Sequence, residues 1–302
     1  TTGIIFKGLT RFLHDYRGPA STGANTFLGI NAGNFTMSGS GFQGSDNTGI
    51  GYNSLLSLTT GYRNTGVGST SLNSNTTGGS NSAFGYRSLT NSTTGNNNTG
   101  VGSLSLYSNN IGYLNTGVGV SSLSSNTSGN ANTATGCNSL LFNTTGSNNS
   151  AFGQESLTNS STGDYNSAFG YISLSSNTTG TNNTGIGYNA QVPSSTANNQ
   201  VRIGNTSVTY ADVQVAWTIT SDRRWKSNIS NSNLGLSFIS KLRPVSYTRN
   251  NDESGKNEYG FIAQEIEEVL KSEGVENTGM LTVTDEGMYE LRYNDLIAPM
   301  IK

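Results

Sequence analysis

The chain has 302 residues, a net charge of −2 and 32% hydrophobic residues, with 39 glycines besides. Ordinary globular domains hold about 45–50% when glycine is counted, and here so much of that share is glycine, which has no side chain to bury, that a conventional core is not expected for most of the length. The small net charge gives no electrostatic reason for capture of nucleic acid or an anionic membrane, and no apolar run approaches the ~20 residues of a membrane helix. The single cysteine, Cys137, excludes an intrachain disulfide framework.

In chain order, four segments differ in kind. Residues 1–46 read as an N-terminal cap with two short apolar-aromatic runs, IIF and RFL, and a degenerate first repeat; Thr1 stands without an initiator Met or a signal pattern, as in a processed or truncated piece. Residues 47–190 carry four charges, Arg63, Arg87, Glu155 and Asp164. Residues 191–220 end in QVRIGNTSVTYADVQVAWTIT, whose apolar/polar alternation reads as strands in a neck. Residues 221–302 hold ten Lys/Arg and thirteen Asp/Glu with apolar spacing of ordinary globular type.

The second segment is a strict repeat. Asn recurs at 47, 64, 81, 98, 115, 132, 149, 166 and 183, a spacing of 17. With that Asn as position 0, Gly follows at +4, Leu at +8 from Leu55 to Leu174, and a second Gly at +14 from Gly61 to Gly180. Two glycines per unit would cost ~1 kcal/mol each in a helix, and helical repeats run longer. Val, Ile, Phe and Thr near the strand position, with Asn, Ser, Thr and Gly at corners, fit one coil of a β-solenoid. Coils rising about 4.8 Å each give a rod on the order of 40 Å for nine of them.

Large apolar side chains recur only at +3 (Ile50, Val67, Phe84, Val101, Val118, Phe152, Phe169, Ile186) and at the Leu. Burying two per coil falls short of the entropy of ordering 17 residues, so pooling both rows of several chains about one axis is expected, as a homotrimer. The repeated Asn reads either as a stacked ladder of side-chain amides or as a turn residue tolerating the left-handed region. The Gly at +4 needs positive φ or close chain approach. The NTTG tracts read as polar turns closing a coil, beside three functional readings: N-glycosylation acceptors, an ice-facing threonine array or a sugar-binding face. Cys137 occupies a slot filled elsewhere by Tyr, Ser, Val or Gln and receives no role.

Over roughly residues 25–190 the pattern resembles the β-roll repeats of YadA-like trimeric adhesin heads, and more closely the N-T-[GA]-[VI]-G…SL…NTTG arrays in fibre proteins of phages and phage-like bacterial appendages. That resemblance implies a trimeric stack.

Beyond 220 a helix is expected around Leu234–Leu242, ended by Pro244, then a strand pair, a helix with the stripe Ile262, Ile266, Val269 and Leu270, a hairpin turning near Asp285–Gly287, and a last helix from near Asn294, cut off at Lys302. Three blocks in order, SDRRWKSNI, GFIAQE and YNDLIAPMIK, resemble the endosialidase-type C-terminal intramolecular chaperone of phage tail fibres and spikes and of the myelin regulatory factor. The resemblance implies a trimerising module that templates the upstream fibre and releases itself by cleavage before a serine. Carried over, Ser221 is the nucleophile, Lys226 the base and Thr220–Ser221 the scissile bond. Residue chemistry agrees, since the only histidine, His14, is remote in sequence. A lysine base must be deprotonated, through burial or through Arg223 and Arg224. On a helix, residues five apart point about 140° away from each other, so a turn or a neighbouring chain must close the dyad. The bland alternative is a solvated charged turn with an ordinary serine. Gln264 and Glu265 either orient the dyad across a subunit boundary or open a helix.

The fold class expected is therefore mainly β: a homotrimeric β-solenoid shaft followed by a small α+β chaperone domain leading into a helix. The expected role is a structural fibre subunit, virion tail or cell-surface appendage, whose partners are itself and a cell-surface or glycan receptor. No nucleic acid, membrane insertion, cofactor or metal is expected. Two alternatives stand beside it, a bacterial trimeric surface adhesin with a permanent trimerisation cap and a glycan-degrading fibre. The latter needs two facing carboxylates, and the repeats offer only Glu155 and Asp164 in non-equivalent slots.

Overall fold

The computed structural model describes residues 4–16, 18–276 and 278–302. The chain divides into two compact units, Thr1–Asn205 and Thr206–Lys302.

In the first unit each repeat supplies one three-residue strand, and these stack in parallel from Thr26–Leu28 through Thr48–Ile50 and Thr65–Val67 to Val201–Ile203, eleven among the described residues. Register follows the repeat without offset: Gly117 lies between Gly100 and Ala134, and Val118 between Val101 and Thr135. The remaining turns also bond coil to coil, as in Leu106 N–H to Ser122 O (2.9 Å) and Gly119 N–H to Val101 O (2.8 Å). The unit is thus a β-solenoid of 17-residue coils, each closed within a single chain.

Its interior is half polar. Asn at 0, Gly or Ala at +2, Ser at +7, Leu at +8 and a second Asn or Ser at +11 all face inward and are buried. The Asn row is an amide ladder: Asn132 donates from its backbone N–H and from Nδ2 to Asn115 Oδ1 at 3.0 and 3.1 Å, while Nδ2 also reaches Gly146 O at 2.8 Å. The turn reading fails, because the left-handed non-glycine residues lie at +6, +8 and +16, as in Arg87, Leu89 and Asn97. Gly at +4 meets both of its expected demands: Gly153 has φ +130°, and a Cβ there would lie 2.5 Å from Gly170 O.

Pooling both apolar rows between chains is corrected by this arrangement. Leu72, Leu106 and Leu140 are fully enclosed within one chain, whereas Phe84 and Phe169 at +3 remain 42% and 43% exposed. Strand alternation is the reason, since positions 0 and +2 face in and +1, +3 and +5 must face out. The inward serines at +7, and at Gly185 the returning Leu174, crowd the +2 position, where Gly or Ala stands from Gly49 to Gly185.

The +11 row was not anticipated as a ladder. Asn126 Nδ2 donates to Asn109 Oδ1 at 2.6 Å and Asn143 Nδ2 to Asn126 Oδ1 at 2.7 Å. It is interrupted by Ser92 and Ser160, whose hydroxyls are too short to continue it; Asn75 Oδ1, Ser92 Oγ, Asn143 Oδ1 and Ser160 Oγ are consequently buried without partners. Ser173 Oγ is orphaned for a related reason: Ser139 and Ser156 pair hydroxyl to hydroxyl at 2.9 Å, but the slot after Ser173 holds Ala190.

At the N-terminal end Ile5–Lys7 pairs antiparallel with Thr10–His14, which pairs antiparallel with Thr26–Leu28 and covers the first coil edge. His14 is buried between Phe27 and Phe35, at ring centroid distances of 4.9 and 4.1 Å. Its Nε2 donates to Ala32 O (2.7 Å) and its Nδ1 accepts from Tyr16 N–H (3.3 Å), a pairing that only the neutral ring can make. Of the strands expected over 200–220, Val201–Ile203 forms and closes the solenoid sheet; residues 206–220 have no strand, and Val215, Trp217 and Ile219 there are exposed.

In the second unit the core gathers Leu234, Phe238, Ile266, Leu270, Met280 and Leu296. The helix Leu236–Ile239 is shorter than expected, its N-terminus at Gly235 lacking a side-chain cap. The hairpin-like pairs Val245–Tyr247 with Glu258–Gly260 and Leu281–Val283 with Tyr289–Leu291 flank the helix Ala263–Ser272; a 3-10 turn, Tyr293–Leu296, leads into Ile297–Ile301.

Two measurements follow. Ser160→Asn supplies the missing amide between Asn143 and Asn177 and should stabilise the solenoid by about 1–2 kcal/mol in thermal or denaturant unfolding; no gain would mean that the orphaned atoms cost nothing. Burial lowers the His14 pKa from 6.5, with the Ala32 hydrogen bond opposing. The stability of the cap is therefore complete above pH 6.5 and is lost as pH falls from there through the lowered folded value. An NMR titration of this single histidine should give a midpoint below 6.5.

Candidate functional site

The block at 221–229 builds its geometry from a capped turn. Asp222 is extended (φ −65°, ψ 137°) and its carboxylate accepts from Arg224 N–H, opening the 3-10 turn Arg223–Trp225; Lys226 leaves it extended (φ −123°, ψ 133°) with its N–H on Arg223 O. Arg224 folds back onto the same carboxylate, Nε to Oδ1 at 3.1 Å and Nη2 to Oδ2 at 2.8 Å. These side-chain and backbone bonds from Arg224 hold the Asp222 carboxyl below its usual range.

A single tight turn between two extended residues does what an α-helix could not. Lys226 Nζ reaches Ser221 Oγ at 2.7 Å within one chain. The turn by itself brings Ser221 and Lys226 within hydrogen-bond distance. Asp222 and Arg224, which the bland alternative leaves in a solvated charged turn, act here as the clamp of that turn; an Asp two residues before an Arg at a turn start was the available signal. Ser221, Lys226 and Trp225 are exposed, so the single chain supplies no burial to the amine. Arg224 is committed to Asp222, which leaves its charge compensated.

The second and third blocks come together. Tyr293 Oη accepts from Phe261 N–H at 3.2 Å, their rings lie 6.1 Å apart, and Gly260 leaves room for the phenol oxygen. Glu265, in the first turn of its helix, forks with Arg243, which lowers the carboxyl pKa and raises that of the guanidinium. That pairing turns Glu265 to local structure and not to the dyad. In the solenoid, Glu155 sits at a left-handed corner while Asp164 Oδ1 accepts from Ser147 N–H at 2.7 Å. The two carboxylates occupy different corners of the coil, and one is engaged structurally. Among the described residues no group of three or more His, Cys, Asp or Glu is placed to hold a metal ion, and no helix is long and apolar enough to cross a membrane.

Residues 221–275 match the family model described as chaperone of endosialidase. The match begins at the serine of the dyad and takes in the first two blocks. No curated protein and no solved structure matches the chain. The endosialidase-type chaperone segment and the solenoid of 17-residue coils together fit a protein of the tail-fibre type.

The contact between the second and third blocks is testable without assuming any chemistry. In Gly260→Ala the new methyl would collide with Tyr293 Oη, so the C-terminal unit should lose about 1–3 kcal/mol while the melting of the solenoid is unchanged. A silent substitution would show that the two blocks pack differently.

Proposed function

We propose that this chain is one subunit of a homotrimeric attachment fibre, virion tail fibre or phage-like appendage, whose C-terminal chaperone drives trimer folding and then cuts the Thr220–Ser221 bond. The observation that carries the proposal is the 2.7 Å hydrogen bond between Lys226 Nζ and Ser221 Oγ, at the residue where the chaperone match starts. The exposed apolar residues of segment 206–220 and the family's association with fibres support the trimer.

The chemistry is internal to the chain. A neutral Lys226 amine takes the proton of Ser221 Oγ, and the oxygen attacks the Thr220 carbonyl carbon through a five-membered ring. The C–N bond breaks as the Lys226 ammonium returns that proton to the nitrogen, which leaves as the α-amine of Ser221, and Thr220 is held as an ester on Oγ. Water then hydrolyses the ester, regenerating the serine hydroxyl and releasing Thr220 as a carboxylate. Each molecule turns over once. Because a lysine amine in water stays charged, burial of the exposed dyad on assembly is the step that licenses cleavage. Folding of the trimer thereby precedes release of its template.

Exposure of both dyad residues favours a second reading, in which residues 221–302 remain as a permanent trimerisation cap, as on a bacterial surface adhesin. In both readings the fibre is extracellular or virion-borne and its other partner is a cell-surface or glycan receptor.

Expressing the chain beside Ser221→Ala, with gel analysis and N-terminal sequencing, separates them. A small fragment beginning at Ser221, absent from the variant and from Lys226→Met, is the expected result. An uncut trimer would retire the dyad and leave the cap.

A further inference from the structure

We propose that the outward sheet face of the coils, the rows at +3 and +5, is the surface on which one copy of this chain packs against the next. The threefold axis would run parallel to the coil stack. The inference rests on the trimeric reading above and names the face that reading requires.

The face is long, free of charge and mostly apolar, with Thr135 in the +3 row and Ser69, Ser103 and Gln154 in the +5 row as its uncharged polar members. Phe84, Val101, Val118, Phe152 and Phe169 at +3 are between 37% and 43% exposed, and Tyr86, Tyr171 and Tyr188 at +5 between 47% and 58%. With about a dozen such side chains each leaving on the order of 80 Å² uncovered, the strip amounts to on the order of 900 Å². The largest apolar patch of a typical monomer is about 300–600 Å², and a stable interface buries roughly 800 Å² per partner. The four charges of the coils all lie off it: Arg87 and Glu155 at +6, Asp164 at +15 and Arg63 at +16. Arg87 lies against the ring of Tyr86, with its guanidinium carbon 5.3 Å from the centroid, as a rim residue of an apolar contact would.

Periodicity selects the occupant. Whatever covers the strip must present complementary groups at the coil rise of about 4.8 Å over nine coils. A second copy does so by construction, and an axis parallel to the stack sets equal coils at equal height, giving layers of like residues. A sugar chain is a poorer fit. The Phe152 and Phe169 rings stack on each other (5.3 Å between centroids, 3° between planes), as do Tyr171 and Tyr188 (5.7 Å, 8°). Their faces are spent along the stack, leaving edges outward and little open π surface for a pyranose.

The chain carries its own reporter. Cys137 stands at +5 on this strip and is exposed in the single chain. The test is the rate of maleimide alkylation of Cys137 in the intact protein, with mass by light scattering, against the urea-unfolded chain. A trimer whose thiol reacts at least roughly tenfold slower than the unfolded thiol is expected. Phe152→Asp with Phe169→Asp should restore fast labelling, with the circular dichroism of the coils retained since both side chains point outward. A trimer whose Cys137 labels at the unfolded rate would overturn this face and leave the trimer standing. A monomer would overturn both.

Discussion

The solenoid depends on one interaction, the hydrogen bonds that pass from each inward asparagine to the next. An amide has one acceptor oxygen and two N–H donors. Here the oxygen of Asn115 takes both the backbone N–H and Nδ2 of Asn132, while Nδ2 of Asn115 is spent on Gly129 O of its own coil. Stacking and coil closure are thus carried by one side chain. A leucine in that slot could fill the space but could not satisfy the buried N–H and C=O groups, whose unpaired burial costs more than a hydrogen bond yields. This is why a chain with 32% hydrophobic residues can enclose an interior: the lumen is made of self-paired polar rows with one leucine row between them.

The ladder also explains how the coil tolerates its backbone. Each repeat from Asn47 to Asn166 holds three non-glycine residues in the left-handed region, such as Ser121, Leu123 and Ala131, with φ of 57°, 52° and 54°. Each such residue costs about 1–2 kcal/mol. A leucine gains nothing locally from that conformation. It adopts it because the chain must double back within 17 residues to bring its side chain into the lumen and its N–H onto the next coil, as Leu123 N–H does on Ser139 O at 3.0 Å. Strain is therefore distributed evenly along the stack and offset in each coil by the same bonds.

What the sequence made legible follows from these two facts. A row of Asn and Gly at fixed spacing is visible because each position admits almost no substitute, and the strand, the coil and the solenoid followed from it. The inside–outside assignment was harder. Rows at +3 and +8 are both apolar, and strand alternation together with the left-handed turn, invisible at Leu, decides that one is surface and the other lumen. The +11 row was hidden by its alternation of Asn with Ser and Leu58. At the candidate site the order of the three blocks singled out Ser221 and Lys226, whose side chains meet. The 3-10 turn that joins Ser221 to Lys226 was not foreseen, since it hangs on Asp222 and Arg224, two residues that in most contexts are only solvated.

Near-identical coils leave a problem that the coils cannot solve. Because every rung of the Asn ladder is alike, a fold that looped out one repeat would lose one set of bonds and no others, and three chains packed on the outward face could slip by one coil with small penalty. Some irregularities resist this: the longer first interval from Asn25 to Asn47, the serines at 92 and 160, and the changing size of the +3 side chains. They are weak marks against a repeated pattern. A unit outside the repeat, with a hydrophobic core of its own and a unique sequence, fixes register by where it holds the chain ends. On the proposed trimer that is the physical work of residues 221–302. Once the coils are zipped, the ladder itself opposes slippage, so the unit that set the register is no longer needed. On the proposed reading, a scissile bond between the coils and the core that sets their register, with the Ser221–Lys226 pair on its far side, is what such a dispensable template requires.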